Sequence, residues 1–119
     1  MYLLSFLVLQ SPNKTKFKNY FINYLNKKEY HTLKREIFND EIYSFENLKN
    51  VESIIDIGSH IGLSIVYFKE KYPNSNIISF EPNPINFELL EKNIFENNLK
   101  NVECIQKTVS SNRGPVFVL

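Results

Sequence analysis

Two short runs in the second half of the sequence hold the residue types that chemistry uses. The first, Asp56-Ile57-Gly58-Ser59-His60-Ile61-Gly62, sets a carboxylate two residues before one glycine and six before another. In the second, Phe80-Glu81-Pro82-Asn83, a carboxylate follows an apolar stretch. A glycine directly after a strand lets the backbone turn sharply and lets a ligand come close, and a second one lets the entrance of a following helix pack tightly. Glu81 lies nineteen residues beyond Gly62, about where dinucleotide-binding folds place the acid that accepts hydrogen bonds from a ribose.

The spacing discriminates between cofactors. A G-x-G-x-x-G fingerprint begun at Gly58 needs glycine at 60 and 63, where this chain has His60 and Leu63. Asp56 would also bring negative charge near the phosphates that such a turn cradles, which is unfavourable unless a cation intervenes. S-adenosylmethionine fits better. It offers a ribose to Glu81 and an ammonium to the neighbourhood of Asp56, and it has no phosphate. A nicotinamide-type nucleotide module is the disfavoured alternative. Taken singly, glycines after strands and carboxylates at strand tips also serve purely structural ends; it is both at this spacing, with the family-like phrase around each, that favour cofactor binding.

The elements that must position these residues follow from apolar periodicity. Ser53 to Ile57 reads as a short strand ending at Gly58, and Ile61, Ile65, Phe68 and Tyr72 recur at helical spacing until Pro73 and Asn74 stop the run. Ile77 to Phe80 is a second strand. Asn83 and Pro84 can cap and start a second helix whose Phe87, Leu90 and Ile94 face inward. A third strand is expected at about Val102 to Val109, then a turn over Ser110 to Gly114 and a further apolar strand from Pro115 to Leu119. Strand, helix, strand, helix, strand with short connections is the pattern of an α/β fold with a parallel sheet and right-handed crossovers, and ligands in such sheets bind beyond the carboxyl ends of the strands.

Upstream, Ser11-Pro12 followed by Phe17, Tyr20, Phe21, Tyr24 and Leu25 predicts an amphipathic helix, with Lys14, Lys16, Lys18, Lys27 and Lys28 on its solvated face. Residues 31–50 are mixed, consistent with short strands or a second helix. The division expected is an N-terminal extension over residues 1–50 and a partial cofactor-binding domain over 51–119.

The 119 residues are 43% hydrophobic, enough for one domain. Fourteen basic against thirteen acidic side chains leave a formal charge of +1, so no electrostatic case exists for nucleic acid or an anionic membrane as partner. Leu3 to Leu9 is apolar but too short to span a bilayer, and reads as a buried strand or helix end ahead of a signal peptide. The single Cys104 has no partner for a disulfide or a metal set. It reads as a small buried apolar residue, which fits a reducing, cytoplasmic compartment.

The order and spacing of Ile54 to Gly62, Phe80-Glu81-Pro82-Asn83-Pro84 and Leu90-Glu91-Lys92-Asn93 resemble the FkbM-type methyltransferases. The resemblance runs from about Glu36 to the end, with Glu36-Ile37-Phe38 and Tyr43 upstream and Thr108-Val109-Ser110 downstream. It implies a Rossmann-like class I methyltransferase sheet, S-adenosylmethionine as cofactor, and O-methylation of a hydroxyl on a glycan or natural product. It further implies that Asp56, Gly58 and Gly62 shape the methionine pocket, that Glu81 holds the ribose, and that Pro82 and Asn83 line the adenine side. The loop at Lys107 and Thr108 would close over the base. Ser59-His60 replaces the family's usual Ala-Asn. Asn and His are both enriched among non-glycine residues with left-handed backbone angles, so the turn is expected to survive the exchange. His60 itself is read as a turn and packing residue in preference to a proton-transfer group.

The family's acidic Asp-x-Glu-Gly stretch has no counterpart here, so no catalytic residue is assigned and the chain is expected to be incomplete for catalysis. It is a methyltransferase portion that needs more polypeptide, or a cofactor-binding remnant without turnover. An open edge beside Ile54 and Ile57 would then favour self-association or a complementing chain.

Overall fold

The computed structural model of the chain describes residues 11–45 and 48–109. It begins with a β-hairpin where the periodicity predicts a helix. Strands β1 (Asn13–Phe17) and β2 (Tyr20–Tyr24) pair antiparallel with Phe17 opposite Tyr20. They are joined by the two-residue loop Lys18-Asn19, in which Lys18 adopts φ 53°. The aromatic spacing of this segment suits a pleat as well as a helix, and a distant partner decides the outcome. The edge of β2 is hydrogen-bonded by side-chain amides of a later helix: Asn97 bonds both N and O of Phe21, at 2.8 Å each, and Asn93 bonds N and O of Asn23 at 2.7 and 3.1 Å. Backbone groups that a helix would pair locally are paired here across the fold.

Helix α1 (Lys27–Lys34) starts at Asn26, whose side chain accepts from Glu29 N at 3.0 Å. It runs into a π-helical turn over Arg35–Asn39, so the helical alternative for the mixed segment holds as far as Asn39. Phe38 in this turn meets Phe17 and Tyr67 edge-on, with ring centroids 4.7 and 5.6 Å apart. The hairpin and α1 are thereby tied into one apolar core: Ile22, Tyr30 and Ile37 share it with Leu63, Ile65, Val66, Ile77 and Leu90. Lys14 and Lys18 face solvent but pair with Glu96 and Glu70 at 2.6 and 2.7 Å.

The second half follows the expected order. Strands β3 (Ser53–Ile57), β4 (Asn76–Phe80) and β5 (Val102–Ile105) form a parallel sheet in the order β3-β4-β5, with Ile57 beside Phe80 and Phe80 beside Ile105. Helix α2 (Leu63–Lys71) joins the first pair and α3 (Pro84–Glu96) the second. Asn83 caps α3 through Oδ1, which accepts from Ile85 N and Asn86 N at 3.0 Å each, and Pro84 takes the first turn, where a missing N–H costs nothing. Strand β5 is shorter than expected, ending at Ile105 and not at Val109. Helix α2 departs from a one-striped amphipathic pattern: every residue from Leu63 to Lys69 is buried, with the π-helical turn packed against it and Ser64 bonded to Asp56 at the end of β3. Lys69 lies within this shell with its ammonium donating to the Ser75 carbonyl, and burial holds its pKa below the usual lysine value.

Alternation along β3 and β4 shows which sheet face is covered. Asp56, Ile77 and Ser79 are buried, whereas Ile55 and Ile78 remain 49% and 38% exposed. Among the described residues β3 pairs with β4 alone, and no helix is long and apolar enough to cross a membrane. The expected apolar segment Leu3 to Leu9, the turn at Ser110 to Gly114 and the strand from Pro115 lie outside the described residues.

Cys104, half-buried on β5, has its thiol pKa pushed up to about 11, first by burial and then by the charge of Glu91. Its reaction with a disulfide reagent at pH 8 should therefore be slower by about tenfold or more in the native protein than in urea, where a thiol titrates near 8.5, the smaller thiolate fraction outweighing the higher nucleophilicity of the more basic thiolate. Equal rates in the two states would show that β5 does not shield it.

Candidate cofactor site

The chain leaves β3 through a turn whose backbone few residue types tolerate. Gly58, His60 and Gly62 all lie in the left-handed region, at φ 80°, 54° and 99°. Among the described residues a Cβ at position 58 would meet nothing within 4 Å, so open space faces that backbone; at position 62 it would stand 2.9 Å from Leu90 Cδ1. Gly62 thus makes room for α3, while the backbone at Gly58 stays open to close approach.

Hydrogen bonds from the neighbouring strand hold the turn. Gly58 N and Ser59 N both donate to Phe80 O, at 2.8 and 3.0 Å, and Gly62 N closes back on Ser59 O at 2.9 Å. Beneath it, Ser79 Oγ donates to Ser59 Oγ at 2.5 Å, and Ser59 Oγ donates to Asp56 O at 3.2 Å. Glu81, at the tip of β4, is buried and spans the two loops: Oε1 accepts from His60 N and Oε2 from Asn83 N, at 2.8 Å each. Each oxygen keeps acceptor capacity beyond these bonds.

Asp56 is buried at the end of β3, and its Oδ2 accepts from Ser64 Oγ at 2.6 Å. Burial raises its pKa above the usual carboxylate value; hydrogen bonds from Ser64 and Ser59 work against that rise, and the charge of Glu81 adds to it. Tyr43 is close enough to feel it: the phenol pKa is raised by burial and then by the charges of Asp56 and Glu36. Together these two residues line an apolar cleft along β3 with Phe45, Leu48, Ile54 and Phe68.

The structure therefore brings together Asp56, Gly58, Ser59, His60, Gly62, Glu81, Pro82 and Asn83 at the carboxyl ends of β3 and β4. Pro82 and Asn83 are exposed there, with Asn83 occupied as the α3 cap. Thr108 is also exposed, beyond the end of β5; no side-chain hydrogen bond joins it to the turn among the described residues. His60 lines a small cavity with Tyr24, Asn26, Glu29 and Asn86, and its buried Nδ1 has no hydrogen-bond partner among the described residues. Its contribution to the Glu81 clamp comes from the backbone N–H. Three contributors escaped the sequence reading: Ser64 under Asp56, Ser79 under Ser59, and Asn93, whose Nδ2 donates to Ile61 O at 2.7 Å. Asn93 stood in the Leu90-Glu91-Lys92-Asn93 phrase without an assigned role, and for the two serines a small polar residue inside an apolar helix or strand was the signal on offer.

The chain is 37% identical over 91 residues to Methyltransferase sdnD of Sordaria araneosa, covering 76% of this chain and 35% of that protein. It is 35% identical over 80 residues to Methyltransferase 1 of Beauveria bassiana, covering 67% and 32% respectively. It thus spans about a third of the length of the curated relatives it matches. No known family profile matches it. Among solved structures, TYW2 of M. jannaschii, in complex with AdoMet, superposes with a TM-score of 0.58 at 20% identity over 81% of this chain and 43% of that one. Precorrin-6y C5,15-methyltransferase of Geobacter metallireducens gives 0.50 at 20% identity, over 56% and 35%.

The fold is that of a class I methyltransferase. Three parallel strands and the two helices between them represent it here, with the Gly58–Gly62 turn after β3 and Glu81 after β4. This methyltransferase fold explains why the carboxylates converge: consecutive parallel strands bring their carboxyl ends to the same side.

Two predictions follow from the geometry. Gly62→Ala should cost about 2–3 kcal/mol, combining a left-handed alanine with a clash against fully buried Leu90, whereas Gly58→Ala should cost about 1 kcal/mol for the backbone alone; urea titrations of both check the order. Because the folded-state pKa of Asp56 is raised, the native state holds its proton more tightly, so the associated stability is present below pH 3.8 and is lost as pH rises through the folded value. Asp56→Asn should remove that decline, gaining on the parent protein between acid and neutral pH in urea midpoints. Parallel pH curves would show that Asp56 ionises without penalty.

Proposed function

We propose that this chain is the cofactor-binding portion of an S-adenosylmethionine-dependent methyltransferase of the FkbM type. The observation that carries the reading is the buried Glu81 carboxylate, clamped between the turn after β3 and the loop after β4, with open space at Gly58 beside it. Glu81 would use its remaining acceptor capacity on ribose hydroxyls. Asp56 supplies the negative charge that suits the methionine ammonium, and pairing with a cation would favour its ionised form against burial. Pro82, Asn83 and the segment at Thr108 would flank the adenine. When bound, the sulfonium supplies an electrophilic methyl group; the chain's part is to hold and orient it.

The acceptor class favoured is a hydroxyl on a small molecule or glycan, and the compartment the cytoplasm; these rest on the FkbM-like phrases and on the lone cysteine with a balanced charge. Turnover is assigned to the chain acting with further polypeptide, either contiguous or as a second copy. The exposed Ile55 and Ile78 on one sheet face support this reading, since parallel sheets are ordinarily covered on both faces. A nicotinamide-type module is disfavoured because a side chain stands at His60, where the dinucleotide turn needs glycine.

Calorimetric titration with S-adenosylhomocysteine, using NAD as control, tests the proposal. Binding should be saturable and selective over NAD. Glu81→Gln, which keeps the side-chain volume but replaces an acceptor with a donor facing a backbone N–H, should weaken it by about tenfold or more. A folded protein that binds NAD in preference, or neither ligand, would overturn it.

A further inference from the structure

We propose that Asn93 is a positioning residue that couples the N-terminal hairpin to the cofactor turn, so that the seating of β2 on α3 sets the backbone geometry in which the turn meets its ligand. The inference rests on the cofactor reading above and adds a determinant outside the strand ends. Asn93 lies in α3 and is 1% exposed. Its Oδ1 accepts from Asn23 N at 2.7 Å and Asn23 Nδ2 at 2.9 Å; its Nδ2 donates to Asn23 O at 3.1 Å and Ile61 O at 2.7 Å. Those four bonds are all that a carboxamide ordinarily makes. They also fix its orientation, because a flipped amide would face two carbonyl oxygens with an oxygen of its own.

The position of Ile61 gives this arrangement its reach. Its carbonyl belongs to the residue between left-handed His60 and left-handed Gly62, in the segment whose amides are held by Glu81 and Ser59. Three of the four Asn93 bonds go to Asn23 of β2. Moving β2 off α3 removes those three and frees the amide to rotate away from the turn. Asn97, one helical turn along, is an internal comparison. It pins the same strand through Phe21 N and O, at 2.8 Å each, and its remaining bond goes to Asn93 O, not to the turn.

Amide hydrogen exchange and S-adenosylhomocysteine titration on Asn93→Ala and Asn97→Ala separate coupling from general loosening. Asn93→Ala should speed exchange at Ser59, His60 and Gly62 and weaken the ligand by about tenfold. Asn97→Ala should free Phe21 while leaving the turn amides and the affinity within about twofold, once both variants are compared at matched overall stability. Indistinguishable variants, or an Asn93→Ala protein with parental exchange in the turn, would overturn the proposal. Should Asn93→Ala not fold, the wild-type chain decides: in sub-denaturing urea the amide of Asn23 and those of the turn should exchange through one shared opening, with the same denaturant slope. An Asn23 amide that opens separately, with the turn protected until global unfolding, would refute it. If the wild-type chain does not bind the ligand, the cofactor reading fails while the exchange data still judge the coupling.

Discussion

The path from β3 into α2 has to be made in five residues, three of them in left-handed conformation, and much of the surrounding structure serves to hold it there. Gly58 and Gly62 take such angles freely but lose the most conformational freedom when fixed in them, and His60 is disfavoured there outright. The restraint comes from four directions: the β4 backbone at Phe80, the Ser79 hydroxyl beneath, the Glu81 carboxylate alongside and the Asn93 amide behind. All four arise on β4, at its tip or on α3, which are later in the sequence than the turn they hold. The turn is therefore a product of the assembled sheet and helices, and it can present an ordered backbone to a ligand without being rigid by itself.

Its electrostatics follow from the same placement. Two carboxylates, Asp56 and Glu81, are buried at neighbouring strand ends, and burial of like charges raises the free energy of the doubly ionised state. Glu81 is compensated by two backbone amides, while Asp56 has serine hydroxyls for partners. A ligand that brings a cation to Asp56 and hydroxyl donors to Glu81 relieves this cost, whereas one that brings phosphates adds to it. The selectivity expected of the site thus lies in the charge of its floor as much as in its shape.

The hairpin and α1 extend this frame. Phe17, Phe38 and Tyr67 form an edge-to-face series from β1 through the π-helical turn to α2, and Ile22 and Tyr30 enter the same core as Leu63 and Leu90. Ahead of β3, strand β2 packs on α3 and the π-helical turn packs on α2. Ile55 and Ile78 remain exposed on the other sheet face, among several exposed apolar side chains that include Phe45, Leu48 and Phe95.

From Ser53 onward the sequence alone determined most of the architecture, because each element there is closed by a local signal: Gly58 after β3, Pro73 after α2, Asn83-Pro84 at the start of α3. The same local chemistry marked Asp56, the two glycines and Glu81 as residues to watch. What it could not decide was anything settled by a partner distant in the chain. The aromatic spacing from Phe17 to Tyr24 fits a helix and a hairpin alike, and it became a hairpin because Asn93 and Asn97, about seventy residues later, satisfy the β2 backbone. Ser64 and Ser79 carried no motif signal, and Asn93, though it closes the Leu90-Glu91-Lys92-Asn93 phrase, had no role assigned from it; their roles exist only once parallel strands and helices set them within hydrogen-bonding distance of Asp56 and the turn. Local backbone preference wrote the elements, and side-chain amides and hydroxyls reaching across the fold selected among the arrangements those elements allowed.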